Sequence, residues 1–232
     1  MNFWSKYHEV YDKFLSISPT YQLLASQVIK AASIKKNDKV LDAGCGTGYI
    51  TKKVAETTPN VTSVDNSSAA LDFVRRTVPV AKVFKQDLSK QLNLESDYFD
   101  CVICVNALYT LNKGVLDNTF REFSRILKNG GLLIITDPGV GFSNMKIFYS
   151  DMKIIFNQTG FRHLLGILRM NLVLYLKLMI YNIIIDLKDA QGKYTFFTEN
   201  KYIELLNKNN FSILLMKKSY SDQNIFAIAK NK

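Results

Sequence analysis

Residues 40–49, Val40-Leu41-Asp42-Ala43-Gly44-Cys45-Gly46-Thr47-Gly48-Tyr49, set three glycines on alternate positions behind a short apolar run. Lys39-Val40-Leu41 has strand propensity, and Tyr49-Ile50-Thr51-Lys52-Lys53-Val54 begins a helical pattern. The segment reads as strand, glycine turn and helix, the opening of a nucleotide-binding α/β unit. Each glycine lets the backbone take a positive φ or approach a ligand where a Cβ would clash. A dinucleotide site uses G-x-G-x-x-G, which seats a pyrophosphate on the helix N-terminus. Here the order is D-x-G-x-G-x-G, with an acid two residues before the first glycine.

Outward from this stretch, acids recur at the ends of the next two strands. Val61-Thr62-Ser63-Val64-Asp65 is a second strand ending in an acid, seventeen residues beyond Gly48. A carboxylate there can accept both hydroxyl protons of a ribose, as the acid about 20 residues past the glycines does in dinucleotide folds. Asn66, Ser67 and Ser68 supply cap candidates for the following helix, which leaves Asp65 free for a ligand. A third strand, Ala81-Lys82-Val83-Phe84, leads to Gln86-Asp87-Leu88. A lone Asp87 is common turn chemistry, whereas two acids in register after consecutive strands carry more weight.

A fourth strand, Tyr98–Val105, runs into Asn106-Ala107-Leu108-Tyr109, at the strand end where open α/β sheets hold ligands. Val115 to Leu127 then reads as a helix with Phe120, Phe123, Ile126 and Leu127 on one face, stopped by Asn129-Gly130-Gly131. Leu132 to Pro138 is the fifth strand. Thr198 caps a helix over Glu199–Lys208, and Phe211–Met216 with Asn224–Ala229 form a terminal pair of strands.

These pieces together resemble the class I S-adenosylmethionine-dependent methyltransferases, over residues 36 to 137 and 196 to 230. D-x-G-x-G-x-G is similar to that family's first motif, Phe99-Asp100-x-Val102 to its fourth, and Arg125-Ile126-Leu127-Lys128-Asn129-Gly130-Gly131-Leu132 to its fifth, with Asn129 at a usual proline. The resemblance implies a Rossmann-like three-layer α/β/α sandwich on a mostly parallel seven-stranded sheet with an antiparallel last strand. It implies S-adenosyl-L-methionine as cofactor, held by Asp42, Gly44, Cys45, Gly46, Gly48, Asp65, Asn66, Asp87, Leu88 and Asn106. Asp65 would take the ribose, and Asp87 with the Leu88 N–H the adenine. Tyr7-x-x-x-Tyr11-Asp12 resembles the entry helix that folds over the cofactor in small-molecule and lipid methyltransferases, which adds Tyr11.

The expected organisation is one domain: lid helices over 1–35, the cofactor core over 36–137, a helical cap insertion over 138–195, and a closing helix and hairpin over 196–232. The insertion is dense in Leu, Ile, Met and Tyr between 164 and 187 and lies where family members shape the acceptor pocket. Its competing reading is an interfacial membrane helix.

At 232 residues, 47% hydrophobic and 22% charged, the chain is long enough to bury a core. Its net charge of +10 is scattered without a basic run, which suits a solvated basic surface. Cys101-x-x-Cys104 lies in an apolar strand with no second ligand pair, so it reads as packing, with no metal site. Three cysteines, no signal-like leader and no apolar run of membrane length point to a reduced, cytoplasmic setting, compatible with peripheral membrane contact.

The expected activity is methyl transfer to an O or N atom of a small-molecule acceptor, natural-product or lipid-like. The sequence names no catalytic residue; the candidates are His163, Tyr109 and Tyr11. A catalytically silent S-adenosylmethionine-binding protein and an RNA or protein methyltransferase are the alternatives. Nucleic acid is disfavoured because Asn106-Ala107-Leu108-Tyr109 replaces the Asn/Asp-Pro-Pro-aromatic tetrad of base-amine enzymes.

Overall fold

A computed structural model describes residues 3–160 and 195–232, with Val173, Leu174, Leu176, Lys177 and Ile180 between them; over residues 3–8 it describes the backbone. The chain runs α1 (Phe3–Ile17), α2 (Pro19–Ala32), β1 (Val40–Ala43), α3 (Tyr49–Ala55), β2 (Val61–Asp65), α4 (Ser68–Thr77), β3 (Lys82–Lys85) and β4 (Phe99–Val105). Two 3₁₀ turns, Leu108–Thr110 and Lys113–Val115, lead to α5 (Leu116–Ile126) and β5 (Leu127–Pro138). Then come α6 (residues 144–160), α7 (Glu199–Lys208), β6 (Phe211–Ser219) and β7 (Asn224–Asn231).

The seven strands form one sheet in the order β3-β2-β1-β4-β5-β7-β6. β1 to β5 are parallel, and β7 runs antiparallel between β5 and β6. The Rossmann-like architecture read from the sequence is therefore the observed one. Strand order reverses between β1 and β4, and a ligand crevice opens at the C-terminal ends of such a pair. Alternation along β4 feeds both faces of the sheet. Val102 and Cys104 join Phe120, Phe123, Tyr202 and Leu206 on one side; Cys101 and Ile103 join Leu24, Val28, Ile50 and Val54 on the other. The two cysteines thus sit in separate core layers. Truncating Phe120 or Phe123, both fully buried, to alanine would cost about 3–5 kcal/mol.

The local signals mostly hold. Ser18 accepts from Tyr21 N and Pro19 opens α2; Ser67 caps α4; Thr198 caps α7. The Lys128-Asn129-Gly130-Gly131 stretch differs. It does not end α5, which stops at Ile126 because Leu127 is already extended and paired with Phe99. Gly130 at φ +78° and Gly131 instead form a bulge within β5, where the register jumps from Phe99↔Leu127 to Cys101↔Leu132. A Cβ on Gly131 would come within 2.9 Å of the Lys128 carbonyl oxygen.

Of the expected insertion, α6 is described, and most of residues 161–194 lie outside the described residues. The helix buries Ile147, Asp151 and Ile155. Asp151 accepts from Ser18 Oγ at 2.8 Å, Thr20 N at 2.8 Å and Thr20 Oγ1 at 2.6 Å. It therefore satisfies the first turn of α2 from 131 residues away. Because α2 leads to the start of β1, its N-terminus lies near the edge where the parallel strands end, and α6 is tied there. Asp151→Ala should lower unfolding free energy by about 3 kcal/mol, since three hydrogen bonds to one buried carboxyl group are lost. Urea denaturation checks this; an unchanged midpoint would contradict it.

Candidate functional site

The glycine turn between β1 and α3 stands at the strand-order switch. Gly44, Gly46 and Gly48 all have positive φ, at +74°, +51° and +82°. A Cβ on Gly44 would collide with the Ala107 Cβ, and one on Gly48 would lie 2.8 Å from Val74 Cγ2. Those two glycines let the turn pack against the end of β4 and against α4. Around Gly46 a Cβ would meet nothing within 4 Å. Its backbone faces open space, and its N–H donates to Asp65 Oδ2 at 2.9 Å.

Asp42 lies beneath this turn, 1% exposed, and accepts from Thr51 Oγ1 at 2.6 Å; that hydroxyl also meets Ser63 Oγ at 2.8 Å. Burial pushes its carboxyl up to about 7, against the pull of the Thr51 bonds. Asp42 thus braces β1, β2 and α3 from inside. Cys45 is buried too, and burial pushes its thiol well up, so it offers no thiolate at neutral pH.

The acids at the strand ends are engaged. Asp65 is not the helix cap, but neither is it free as the sequence reading has it. Besides Gly46 N it accepts from Ser67 N at 2.8 Å, because an aspartate before a helix readily closes such a turn. Asn66 beside it is exposed. Asp87 Oδ1 accepts from Ser89 N at 2.9 Å and Ser89 Oγ at 2.6 Å. The Ser89 hydroxyl chiefly holds its carboxyl below the usual carboxylate range. Leu88 is buried, with its Cδ1 3.5 Å from where a Gly44 Cβ would be. Asn106, at φ +52°, donates from its N–H to Thr136 O at 2.8 Å and accepts from Asn224 Nδ2 at 2.7 Å.

Tyr109 follows in the first 3₁₀ turn. Its ring stacks on Phe196 at 6.0 Å and 9°, and Phe142 also stacks on Phe196, at 6.2 Å and 15°. Thr195 N donates to Tyr109 O at 2.7 Å, which binds this turn to the chain entering α7. Behind it, Asp137 is fully buried and accepts from Tyr202 Oη at 3.0 Å. Burial pushes this carboxyl up to about 7; the Tyr202 bond and the nearby peptide N–H groups of Tyr109, Leu108 and Ala107 pull it back, though none completes a bond to Oδ1.

Tyr11 packs into the cluster of Tyr21, Tyr49 and Tyr220, and burial pushes its hydroxyl up to about 12. From α1 its neighbour Asp12 lies near Thr47 of the glycine turn; burial is the largest effect and raises that carboxyl, against the lowering influence of the Thr47 hydroxyl. α1 packs on α2 and α4, on either side of the turn. The Tyr7 side chain and His163 lie outside the described residues. Sequence reading missed Asp12, Asn224, Asp137 and Asp151. Polar residues in apolar periodic segments were the available signal for the last three.

A backbone crevice at the switch point, flanked by acids after β2 and β3, defines a Rossmann-like cofactor-binding protein. Residues 40–131 match the family model described as a methyltransferase domain. YqeM of Bacillus subtilis, named a methyltransferase, is 30% identical over 143 residues, covering 60% of this chain and 56% of its own. The sterol 24-C-methyltransferase erg-4 of Neurospora crassa is 28% identical over 142 residues, 56% of this chain and 35% of its own. The solved structure of the N-methyltransferase NodS from Bradyrhizobium japonicum, in complex with S-adenosyl-L-homocysteine, shares the fold at a TM-score of 0.63 and 14% identity, covering 94% of this chain and 90% of its own. Over residues 40–131 the chain thus carries a methyltransferase domain, similar to those of the class I S-adenosylmethionine-dependent methyltransferases, a family whose cofactor is S-adenosyl-L-methionine. It spans about half the length of the curated relatives it matches.

Two outcomes are expected. Gly44→Ala should destabilise strongly, because its Cβ meets another Cβ across the crevice. Gly46→Ala should cost only the left-handed strain of ~1–2 kcal/mol while weakening cofactor binding; comparable melting temperatures for the two variants would contradict this. Separately, Asp42 and Asp137 are raised to about 7 in the fold from an ordinary value of ~4. The unfolded chain releases those protons first, so stability should fall as pH rises across that window. Asp42→Asn should flatten the fall, measured as Tm against pH.

Proposed function

We propose that the protein transfers the methyl group of S-adenosyl-L-methionine to an oxygen or nitrogen of a small natural-product or lipid-like acceptor. The observation that carries this is the open backbone at Gly46, facing an acid at the end of the neighbouring strand. A carboxylate has about four lone-pair sites, and Asp65 spends two on Gly46 N and Ser67 N. The remaining two suit a ribose diol. Ser89 holds Asp87 Oδ1, and Oδ2, which has the Lys90 ammonium 3.9 Å away at an exposed position, is the oxygen offered to an exocyclic amine. Leu88 N–H is the matching donor to a ring nitrogen. Gly44, Cys45, Gly46, Gly48, Asn66 and Asn106 line the turn and the strand ends around this space, with Asp42 supporting them from below.

The cofactor, when bound, supplies a methyl group made electrophilic by its sulfonium. What the chain must add is alignment and dryness, and alignment alone can lower a barrier by about 7–11 kcal/mol. Tyr109, Phe196 and Phe142 form a stacked apolar wall beyond β4 and β5, suited to orienting a small apolar acceptor and excluding water. Tyr11, with its hydroxyl pushed to about 12, is unsuited to taking a proton near neutrality, which leaves it a lid role with α1. Tyr109 and His163 stay as proton-handling candidates. The N-methyl chemistry named for NodS and the sterol acceptor named for erg-4 support a small-molecule reading.

Asp65→Ala should weaken S-adenosylhomocysteine binding by about tenfold or more in calorimetry, since buried donors and acceptors lose their match. Wild-type protein given methyl-labelled cofactor and a fractionated cell extract should place label in the small-molecule fraction. Unchanged affinity in the variant refutes the ribose assignment. Label confined to RNA or protein refutes the acceptor class.

A further inference from the structure

We propose that the outer face of α6, together with the exposed residues Val173, Leu176 and Ile180, docks on an anionic lipid bilayer. α6 has two apolar sides. Ile147 and Ile155, with Asp151 between them, seat the helix on the body of the protein. Its other side carries Met145, Tyr149 and Phe156, which are 71%, 70% and 48% exposed. At about 100° per residue these three fall within an arc of about 40°, so they form one stripe. Val173, Leu176 and Ile180 repeat the pattern at helical spacing, 62%, 45% and 53% exposed. Scattered exposed apolar residues are ordinary, but aligned stripes of large ones mark a surface that meets something apolar.

Charge selects the occupant. Lys146 and Lys153 border the first stripe and Lys177 borders the second, all exposed. The one acid in residues 139–160 is Asp151, which is buried against Ser18 and Thr20. Over residues 139–193 the sequence holds seven lysines and arginines against three aspartates. A second copy of this chain would bring the same basic rim and a net charge of +10 against its like. An anionic bilayer instead offers hydrocarbon to the stripe and negative headgroups to the lysines. Among the described residues no helix is long and apolar enough to cross a membrane. Since α6 is tied to the N-terminus of α2, near the C-terminal ends of the parallel strands, docking brings the crevice edge towards the lipid.

The test is vesicle co-sedimentation of the full chain without cofactor, so its result is independent of methyl transfer. Equimolar phosphatidylglycerol and phosphatidylcholine vesicles should bind the protein, less so at high salt. Phosphatidylcholine alone should bind it about tenfold less or weaker. Met145→Glu with Tyr149→Glu, and separately Lys146→Glu with Lys153→Glu, should each lower binding about tenfold, with unchanged thermal melts because all four residues are exposed. Failure to bind the anionic vesicles, or equal binding to both kinds, overturns the proposal. So does a dimeric wild type that the Met145→Glu, Tyr149→Glu variant turns into a monomer, since the face is then an interface between copies.

Discussion

The close approach of the glycine turn to two neighbours is the constraint on which the rest of the crevice depends. Gly44 meets the loop after β4 at a distance that excludes even one methyl group, and Gly48 meets α4 almost as tightly. With both flanks packed, the middle glycine has nowhere to go but outward, and its backbone is the one left open. The position of that opening is then set from below. Thr51 bridges Asp42 and Ser63, so one hydroxyl joins the strand before the turn, the helix after it and the neighbouring strand. A buried acid is a costly way to hold three elements. It is tolerated because the same low dielectric that raises its pKa strengthens its hydrogen bonds.

Two more buried acids work in the same zone. Asp137 sits under the first 3₁₀ turn at the end of β5, and Asp151 closes the first turn of α2. Each lies where backbone N–H groups at the start of a helical turn need acceptors, a need the parallel strand ends create repeatedly. The sheet thus gathers three buried acids, Asp42, Asp137 and Asp151, towards one edge, while apolar side chains pack both of its faces. That edge is also where a ligand must be held, and partly neutral acids there make its rigidity sensitive to pH.

Local signals made the fold legible. Val61–Asp65 is a strand to the residue, and Ser67, Pro19 and Thr198 punctuate where their chemistry requires. The glycine spacing alone marks the crevice. The Lys128–Gly131 bulge escaped because a glycine pair after a helix reads equally as its stop, and only pairing with β4 decides between them. Asp65 was placed correctly but misjudged as free: its second partner, Gly46 N, is nineteen residues away and carries no periodic signature. Asp151 with Ser18 and Thr20 escaped for the same reason. Hydrophobic period reports which face a residue takes, not which polar atom it meets.

The reversed strand β7 shows how a distant element can shape the crevice. Asn106 adopts φ +52°, a left-handed conformation that costs a non-glycine residue ~1–2 kcal/mol. It is held there from two sides, by Thr136 O on β5 and by Asn224 Nδ2 at the start of β7. Asn224 Nδ2 also reaches Thr136 Oγ1 at 3.1 Å, so one amide ties β4 and β5 together at their ends. Its Oδ1 is buried without a hydrogen-bond partner among the described residues. An amide kept in an apolar strand at that cost is explained by what its nitrogen holds. Because β7 enters the sheet antiparallel, its first residue meets the last residues of β5, and it can reach Asn106. A parallel β7 would have presented its last residue there instead.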